Sequence, residues 1–367
     1  MFLSHRTYFQ SFDWINFALT CALGITGLFF ILSATHAPEQ PYSIFFKKQC
    51  FGMLFGFIIY LLFSFTDSRL LMRLGYFGYF VALLLLCITM VKGSIGLGAQ
   101  RWINLGFAKI QPAELVKLLF PAFAGYFFFT QEKKPSHLYD FAPLLCFLLL
   151  SIILILKQPD LGTAIIVSAA SIILLFIAGL EKKWFIRFFI VSLLCAPIGW
   201  KCLKPYQKQR IAVFLGHGSE QKERYQIEQA KIAIGSGGLT GKGFLKGTQN
   251  VFQFLPESRT DFIFAVIAEE WGFAGALFVL VLFLLLCLRI GNVYLMVHPL
   301  WCKLLTLGLI LHITLCIFIN IAMVTGLLPI VGIPLPLMSY GLSNLWVVMA
   351  SLGWLNGIYM RRGIIRQ

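Results

Sequence analysis

The chain has 367 residues, 59% of them hydrophobic and only 12% charged, with a mean hydropathy of +0.84 and a formal charge of +15. That composition excludes a water-soluble globular protein, because its repeated apolar runs are long enough to cross the roughly 30 Å of hydrocarbon in a bilayer. The basic residues are scattered between those runs instead of forming one stripe, so they point to membrane topology or a polyanionic lipid substrate, and no nucleic acid is expected as a partner.

In chain order, apolar runs fall at 14–35, 49–65, 74–91, 112–129, 140–157, 161–180, 184–201, 262–288, 304–327 and 344–360, which predicts about ten spans. No small-residue cleavage site follows the first run, which reads as a retained helix. An even count places both termini on one side. Arg6, Arg69, Arg73, Lys133, Lys134, Lys182, Lys183, Arg187, Arg289, Lys303, Arg361, Arg362 and Arg366 fall on that side, against Lys47, Lys48, Lys92, Arg101 and Lys109 in the short loops opposite, so the termini are expected in the cytoplasm. The expected fold is an all-α polytopic bundle forming one membrane domain over 1–367, with one large extracytoplasmic loop at 201–261. Nine cysteines lie mostly inside apolar runs and act as small hydrophobes, and six scattered histidines suggest no zinc site.

Chemistry-bearing residues follow the same order. In QRWINLGFAKIQPAELVKLLF, Arg101 beside Trp102 suits either an aromatic-belt anchor or a diphosphate ligand. Glu114 and Lys117 are three apart on a predicted helix and share a face, so they can pair, either as a structural tie or as part of a functional site. Asp160 in KQPDLGTA reads as a helix cap. GSGGLTGKG at 235–243 misses the phosphate-loop register, with Ser236 where a glycine is required and Gly243 where a hydroxyl is required, so a flexible or re-entrant loop is expected.

The run LPESRTD ends in Asp261 at the mouth of the eighth span. A carboxylate there suits the helix macrodipole, and partial burial would also give it the proton affinity a general base needs. Glu257 and Arg259 can pair with each other, or Arg259 can hold a phosphate through its planar fork. Glu269 and Glu270, one to two turns further into the span, must face the interior, as a buried polar network or as catalytic groups. Pro329, Pro334 and Pro336 with Gly326, Gly332 and Gly341 forbid regular helix within 326–344. Such a break survives at membrane depth only where protein or a watery cavity satisfies its backbone.

Together, RWINLGFAKIQPAELVKL, KQPDLGTA, KPYQKQRI, RYQIEQAKIAIGSGGLTGKGFLKGTQ, FLPESRTDFIFAVIAEEWGFAG and GLLPIVGIPLPLMSYG resemble the SEDS family (shape, elongation, division and sporulation) across essentially the whole chain. The resemblance implies an inverting glycosyltransferase of the bacterial inner membrane. It would polymerise lipid II on the extracytoplasmic side and release undecaprenyl diphosphate, beside a class B penicillin-binding protein that crosslinks the glycan. It also implies an essential aspartate at Asp261, and it matches Glu114 and Lys117 to the family's QPAELVK motif. Arg101, Lys117, Arg210 and Arg259 are then the candidates to carry the charge of the departing diphosphate. No cofactor is demanded, although a divalent cation could share that task. A lipid II flippase and a noncatalytic scaffold for cell-wall enzymes are the alternatives. Where many members read SYGGSS or SYGGTS, this chain has Ser339, Tyr340, Gly341, Leu342, Ser343 and Asn344, and Ser258 and Arg259 stand where a histidine often precedes the threonine.

Overall fold

The computed structural model describes residues 11–365 except 38–39, 97–98, 105, 107–108, 132–134, 136, 203–207, 209–211, 214–220 and 253. Each expected span is a helix: α1 Trp14–Ala34, α2 Ile44–Phe65, α3 Ser68–Lys92, α4 Pro112–Thr130, α5 Ala142–Lys157, α6 Leu161–Ile177, α7 Lys182–Cys202, then α10 Ile263–Met296, α11 Leu300–Val324 and α12 Leu342–Met360. Helices α8 Gln221–Ser236 and α9 Thr248–Val251 lie within the expected loop, and α13 Arg362–Ile365 closes the described chain. Among the described residues, seven helical segments are long and apolar enough to cross a membrane, one of them running from Leu138 through α5. Local chemistry fixes several starts: Asp13, Ser43, Asp67 and Asp160 accept first-turn backbone N–H groups of α1, α2, α3 and α6. Pro112 opens α4 where an N–H would have no helical partner.

A three-stranded antiparallel sheet, β1 Ser94–Gly96, β2 Ala99–Asn104 and β3 Lys109–Ile110, joins α3 to α4. Ser94 lies opposite Trp102 and Ile103 opposite Ile110. These strands are too short to leave a period of two in the sequence, and they are a small addition to the expected helical bundle.

Lipid tails are as apolar as leucine, so apolar surface alone does not drive helices together in a bilayer, and close packing of small residues takes its place. A Cβ on Gly353 of α12 would stand 2.2 Å from the Tyr60 carbonyl oxygen of α2, and one on Gly75 of α3 would stand 2.5 Å from the Ala122 side chain of α4. Helix α4 joins two cores, giving Leu118 and Ala122 to the one around α1, α2 and α10 to α12, and Val116 and Phe120 to the one around α3 to α6. Helix α7 departs from the expected bundle. Trp184 and Phe185 pack against the second core, but Ile186, Phe189, Leu193 and Leu194 are exposed, so most of α7 stands at the periphery.

The segment before and into α10 departs further. Gly272, at φ 67° and ψ −162°, breaks the helix into 263–271 and 273–296. The second part spans about 36 Å and suffices to cross the hydrocarbon alone, whereas 263–270 is buried at every residue. The break removes the bonds that N–H 273 and 274 would make to C=O 269 and 270. The glycine-rich loop replaces both: Lys242 N–H donates to Glu269 O (3.0 Å) and Gly243 N–H to Glu270 O (2.9 Å), while Phe273 N–H donates to Gly238 O (2.8 Å) and Ala274 N–H to Leu239 O (3.1 Å). Side-chain-free positions make this approach possible, since a Cβ on Gly241 would sit 2.1 Å from Glu270 O. The glycine run is thus the re-entrant alternative, bound into the fold, and 201–261 is not one open loop.

Replacing Gly237 by alanine would put Cβ 1.9 Å from the Ala268 carbonyl oxygen, whereas a Cβ on Gly235 meets nothing within 4 Å. Overpacking of this kind costs roughly 1–3 kcal/mol. In detergent, G237A is expected to unfold at a lower temperature than G235A, and equal midpoints would refute a docked loop.

Candidate active site

Asp261 ends a tight turn. Glu257, at φ 56°, closes it by accepting the N–H groups of Thr260 (3.1 Å) and Phe262 (3.3 Å), and the Thr260 hydroxyl donates to the Glu257 carboxylate at 2.9 Å. Asp261 itself is half-buried. The turn is fastened through three successive carbonyls. Tyr340 N–H donates to Arg259 O (2.9 Å), the Ser339 hydroxyl to Thr260 O (2.5 Å) and the Asn320 amide to Asp261 O (2.9 Å). Beside the Asp261 carboxylate lies Gly332, at φ +73°, where a Cβ would stand 3.5 Å from Oδ2.

Asn320 belongs to α11, and Tyr340 and Ser339 to the broken segment, which runs irregularly from α11 to α12 with Ile333, Leu335, Leu337, Met338 and Ser339 buried. Several of its backbone groups are bonded by protein. Asn320 also donates to Ile333 O (2.7 Å), Leu335 N–H donates to the Ser339 hydroxyl (2.8 Å), and Gln49 of α2 donates to Ser339 O and accepts Gly341 N–H, both at 3.3 Å. Arg259 does not pair with Glu257. Its guanidinium lies 3.9 Å over the Phe45 ring, and Phe45 meets Tyr340 edge-on at 5.3 Å. Burial pushes the Tyr340 phenol above its ordinary pKa, with the Arg259 charge opposing.

A second polar cluster continues from this wall. Glu114 and Lys117, both buried, pair at 2.7 Å, and Asn344 donates to the same carboxylate at 3.0 Å. Gln111 N–H donates to the Ser343 hydroxyl (3.1 Å), which donates to Lys109 O (2.9 Å), and the Gln111 side-chain amide donates to Asp160. Asp160 caps α6 as expected, accepting Thr163 N–H at 3.2 Å. Arg101 turns toward the α5–α6 connection, with Nε on Gln158 O (2.9 Å), Nη2 on Pro159 O and Nη1 4.0 Å from Asp160. Lys117 Nζ lies 3.9 Å from Cys316 Sγ. Cys316 and Asn320 are one turn apart on α11, so the two clusters are offset by about 6 Å along that helix.

Glu269 and Glu270 belong to neither cluster. Glu269 accepts Lys242 Nζ (2.7 Å), the Thr248 hydroxyl (2.9 Å) and Gln249 N–H (3.1 Å), and Glu270 accepts the Ser33 hydroxyl in the last turn of α1. Glu270 thus lies beside the last turn of α1, and Gly272 separates both glutamates from the longer part of α10. They form the buried-network alternative. Arg210 lies outside the described residues. Gln49 and Asn320 were missed as site residues, although each is a lone amide in an apolar run, a pattern that places a side chain toward the bundle interior.

A bundle of membrane helices with a half-buried carboxylate on a pinned turn defines a multi-pass membrane protein with an active-site-like wall at one end. The family model for the cell cycle proteins FtsW, RodA and SpoVE matches residues 13–363, and the chain belongs to that family, the SEDS family. The peptidoglycan glycosyltransferase MrdB of Escherichia coli strain K12 is 40% identical over 291 residues, covering 78% of each chain. MrdB of Helicobacter pylori strain 26695 is 35% identical over 365 residues, covering 98% of this chain and 93% of that one. A solved chain from a peptidoglycan synthase complex superposes with a TM-score of 0.81 at 28% identity, over 96% of this chain and 98% of that one.

Breaking a buried ion pair by removing one partner typically costs about 3–5 kcal/mol, while replacing both can be nearly neutral. Lys117→Met should therefore lower the thermal midpoint sharply, and the double variant Glu114→Gln/Lys117→Met should recover most of it. A double variant no more stable than Lys117→Met would show that the pair does not set the penalty.

Proposed function

We propose that this protein is a peptidoglycan glycosyltransferase of the RodA type that polymerises lipid II, with Asp261 as its general base. Membership of the family and the glycosyltransferase relatives support the reaction class. The motif GKGFLKGTQ favours the RodA branch over FtsW. The observation that carries the assignment of Asp261 is the fastening of the carbonyls of Arg259, Thr260 and Asp261 by three separate donors, which holds a half-buried carboxylate in one place beside Gly332. Positioning a base in this way is what proton transfer from a sugar hydroxyl requires.

In this reading the GlcNAc 4-hydroxyl of one lipid II attacks the anomeric carbon of the MurNAc that ends the growing chain. The new C–O bond forms as the bond to undecaprenyl diphosphate breaks, the hydroxyl proton passes to Asp261, and the configuration inverts. The departing diphosphate takes up the bonding pair and needs positive charge nearby. Arg259, two residues from Asp261 and placed over the Phe45 ring, is the best-placed cation. Lys117 is already engaged by Glu114 and Arg101 by the carbonyls of Gln158 and Pro159, so both support the wall more directly than they meet a ligand. A divalent cation at the diphosphate is compatible with this chemistry. The termini are cytoplasmic and the wall faces the extracytoplasmic side of the inner membrane, where nucleotides are absent and a pre-activated lipid donor is needed. A class B penicillin-binding protein crosslinks the product.

Purified protein given lipid II should make glycan strands, and Asp261→Asn should slow this by roughly 10²- to 10⁴-fold. Wild-type polymerisation by that variant would sink the general-base reading, and transbilayer movement of lipid II without polymer would favour a flippase. Arg259→Lys keeps the charge but loses the planar fork and the ring stack. Its rate is expected between those of wild type and Arg259→Ala, and a wild-type rate in both variants would remove Arg259 from the site.

A further inference from the structure

Building on the general-base reading, we infer that Asn320 is a positioning residue that sets Asp261 against the broken segment. Asn320 is fully buried near the end of α11, and its Nδ2 donates at once to Asp261 O (2.9 Å) and to Ile333 O (2.7 Å). Both partners are carbonyls, which only accept, so they fix the orientation of the amide: nitrogen faces them and oxygen faces away. Among the described residues, Oδ1 has no hydrogen-bond partner. A buried acceptor in that state is unfavourable.

Leucine has nearly the same shape and no such liability, so packing does not account for an amide here. What the amide alone supplies is one donor group holding two carbonyls from distant parts of the chain. Those carbonyls define a gap. Ile333 follows Gly332, and Gly332 is the backbone that lies beside the Asp261 carboxylate, with a Cβ position 3.5 Å from Oδ2. Arg259 and Thr260 are held by Tyr340 and Ser339, at the far end of the broken segment. Asn320 ties the Asp261 carbonyl, and it does so from a packed helix whose Cys316, one turn away, touches Lys117. Without it, Asp261 keeps its neighbours but loses the contact that fixes its distance from Gly332. A misplacement of about 1 Å at a reacting group can lower a rate by 10²-fold.

Asn320→Leu is the test, in purified full-length protein polymerising lipid II. The expected result is a kcat roughly 10- to 100-fold below wild type with KM for lipid II little changed, as for loss of an interaction that matters in the transition state. Leucine takes the donor from two buried carbonyls but also removes the unpaired Oδ1, so the thermal midpoint should fall by less than Lys117→Met lowers it, and backbone amide exchange should quicken at 260–263 while remaining unchanged along α4. In an Asp261→Glu background, where the carboxylate is already displaced, Asn320→Leu should add little, because groups acting as one unit are not additive. A wild-type kcat, an equal fold loss in both backgrounds, or unaltered exchange at 260–263 overturns the inference. A midpoint falling in step with activity also overturns it, by showing a structural role. If Asp261→Asn is itself fully active, the general-base reading fails first, and the exchange measurement still reports whether Asn320 holds the turn.

Discussion

A peptide group buried away from water must find a hydrogen-bond partner, and in this protein that demand is concentrated at one end of the bundle. The segment between α11 and α12 cannot be helical because of its prolines, so its N–H and C=O groups need partners from elsewhere. The turn at 257–261 has the complementary need, since the carbonyls of Arg259, Thr260 and Asp261 find their partners outside the turn. Each satisfies the other through Tyr340, Ser339 and Asn320, with Gln49 bracketing the chain between Ser339 and Gly341. Neither irregular segment could persist at this depth alone. Losing one such partner would leave a buried group at about 1–3 kcal/mol.

The same rule operates at the other end of 263–271. Where Gly272 breaks α10, two carbonyls and two N–H groups are released, and the backbone of 238–243 takes all four. Helix 263–271 is therefore a short strut fastened at both ends, by the broken segment at Asp261 and by the glycine loop at Gly272. A functional side chain at the end of such a strut inherits its rigidity, which a carboxylate at the free start of a long spanning helix would lack. Glu269 and Glu270 belong to the fastening of the strut, through Lys242, Thr248 and Ser33, and their charge is a matter of architecture.

What could be read from the sequence depended on whether a residue's role was set by its neighbours in the chain. The spans, the cap at Asp160, the Glu114–Lys117 pair and the proline break are local patterns, and each appears in the fold. The docking of 237–247 onto α10 is a contact between segments some thirty residues apart, and its only trace was an excess of glycine, which suits an open loop equally well. The periphery of α7 left no trace at all, since an apolar run reads the same whether it faces lipid or protein. Gln49 and Asn320 fall between these cases. A single amide in an apolar helix signals an inward-facing role without naming the partner.

The departure from the family motif after Tyr340 follows from the same geometry. Leu342 is the first residue of α12, and no residue at 342–344 has left-handed backbone, so no glycine is required there. The leucine side chain is accommodated by a glycine elsewhere: a Cβ on Gly52 of α2 would stand 2.2 Å from Leu342 Cδ2. At 344 the family's hydroxyl is replaced by an amide that still donates, to Glu114 at 3.0 Å. The run from Ser339 to Asn344 therefore holds the Asp261 turn at one end and the buried Glu114–Lys117 pair at the other, through the carbonyl of Thr260 and the carboxylate of Glu114. A buried ion pair adds little net stability, but it penalises any register in which a partner is lost. Fixing α12 against α4 in this way fixes the wall that α12 continues.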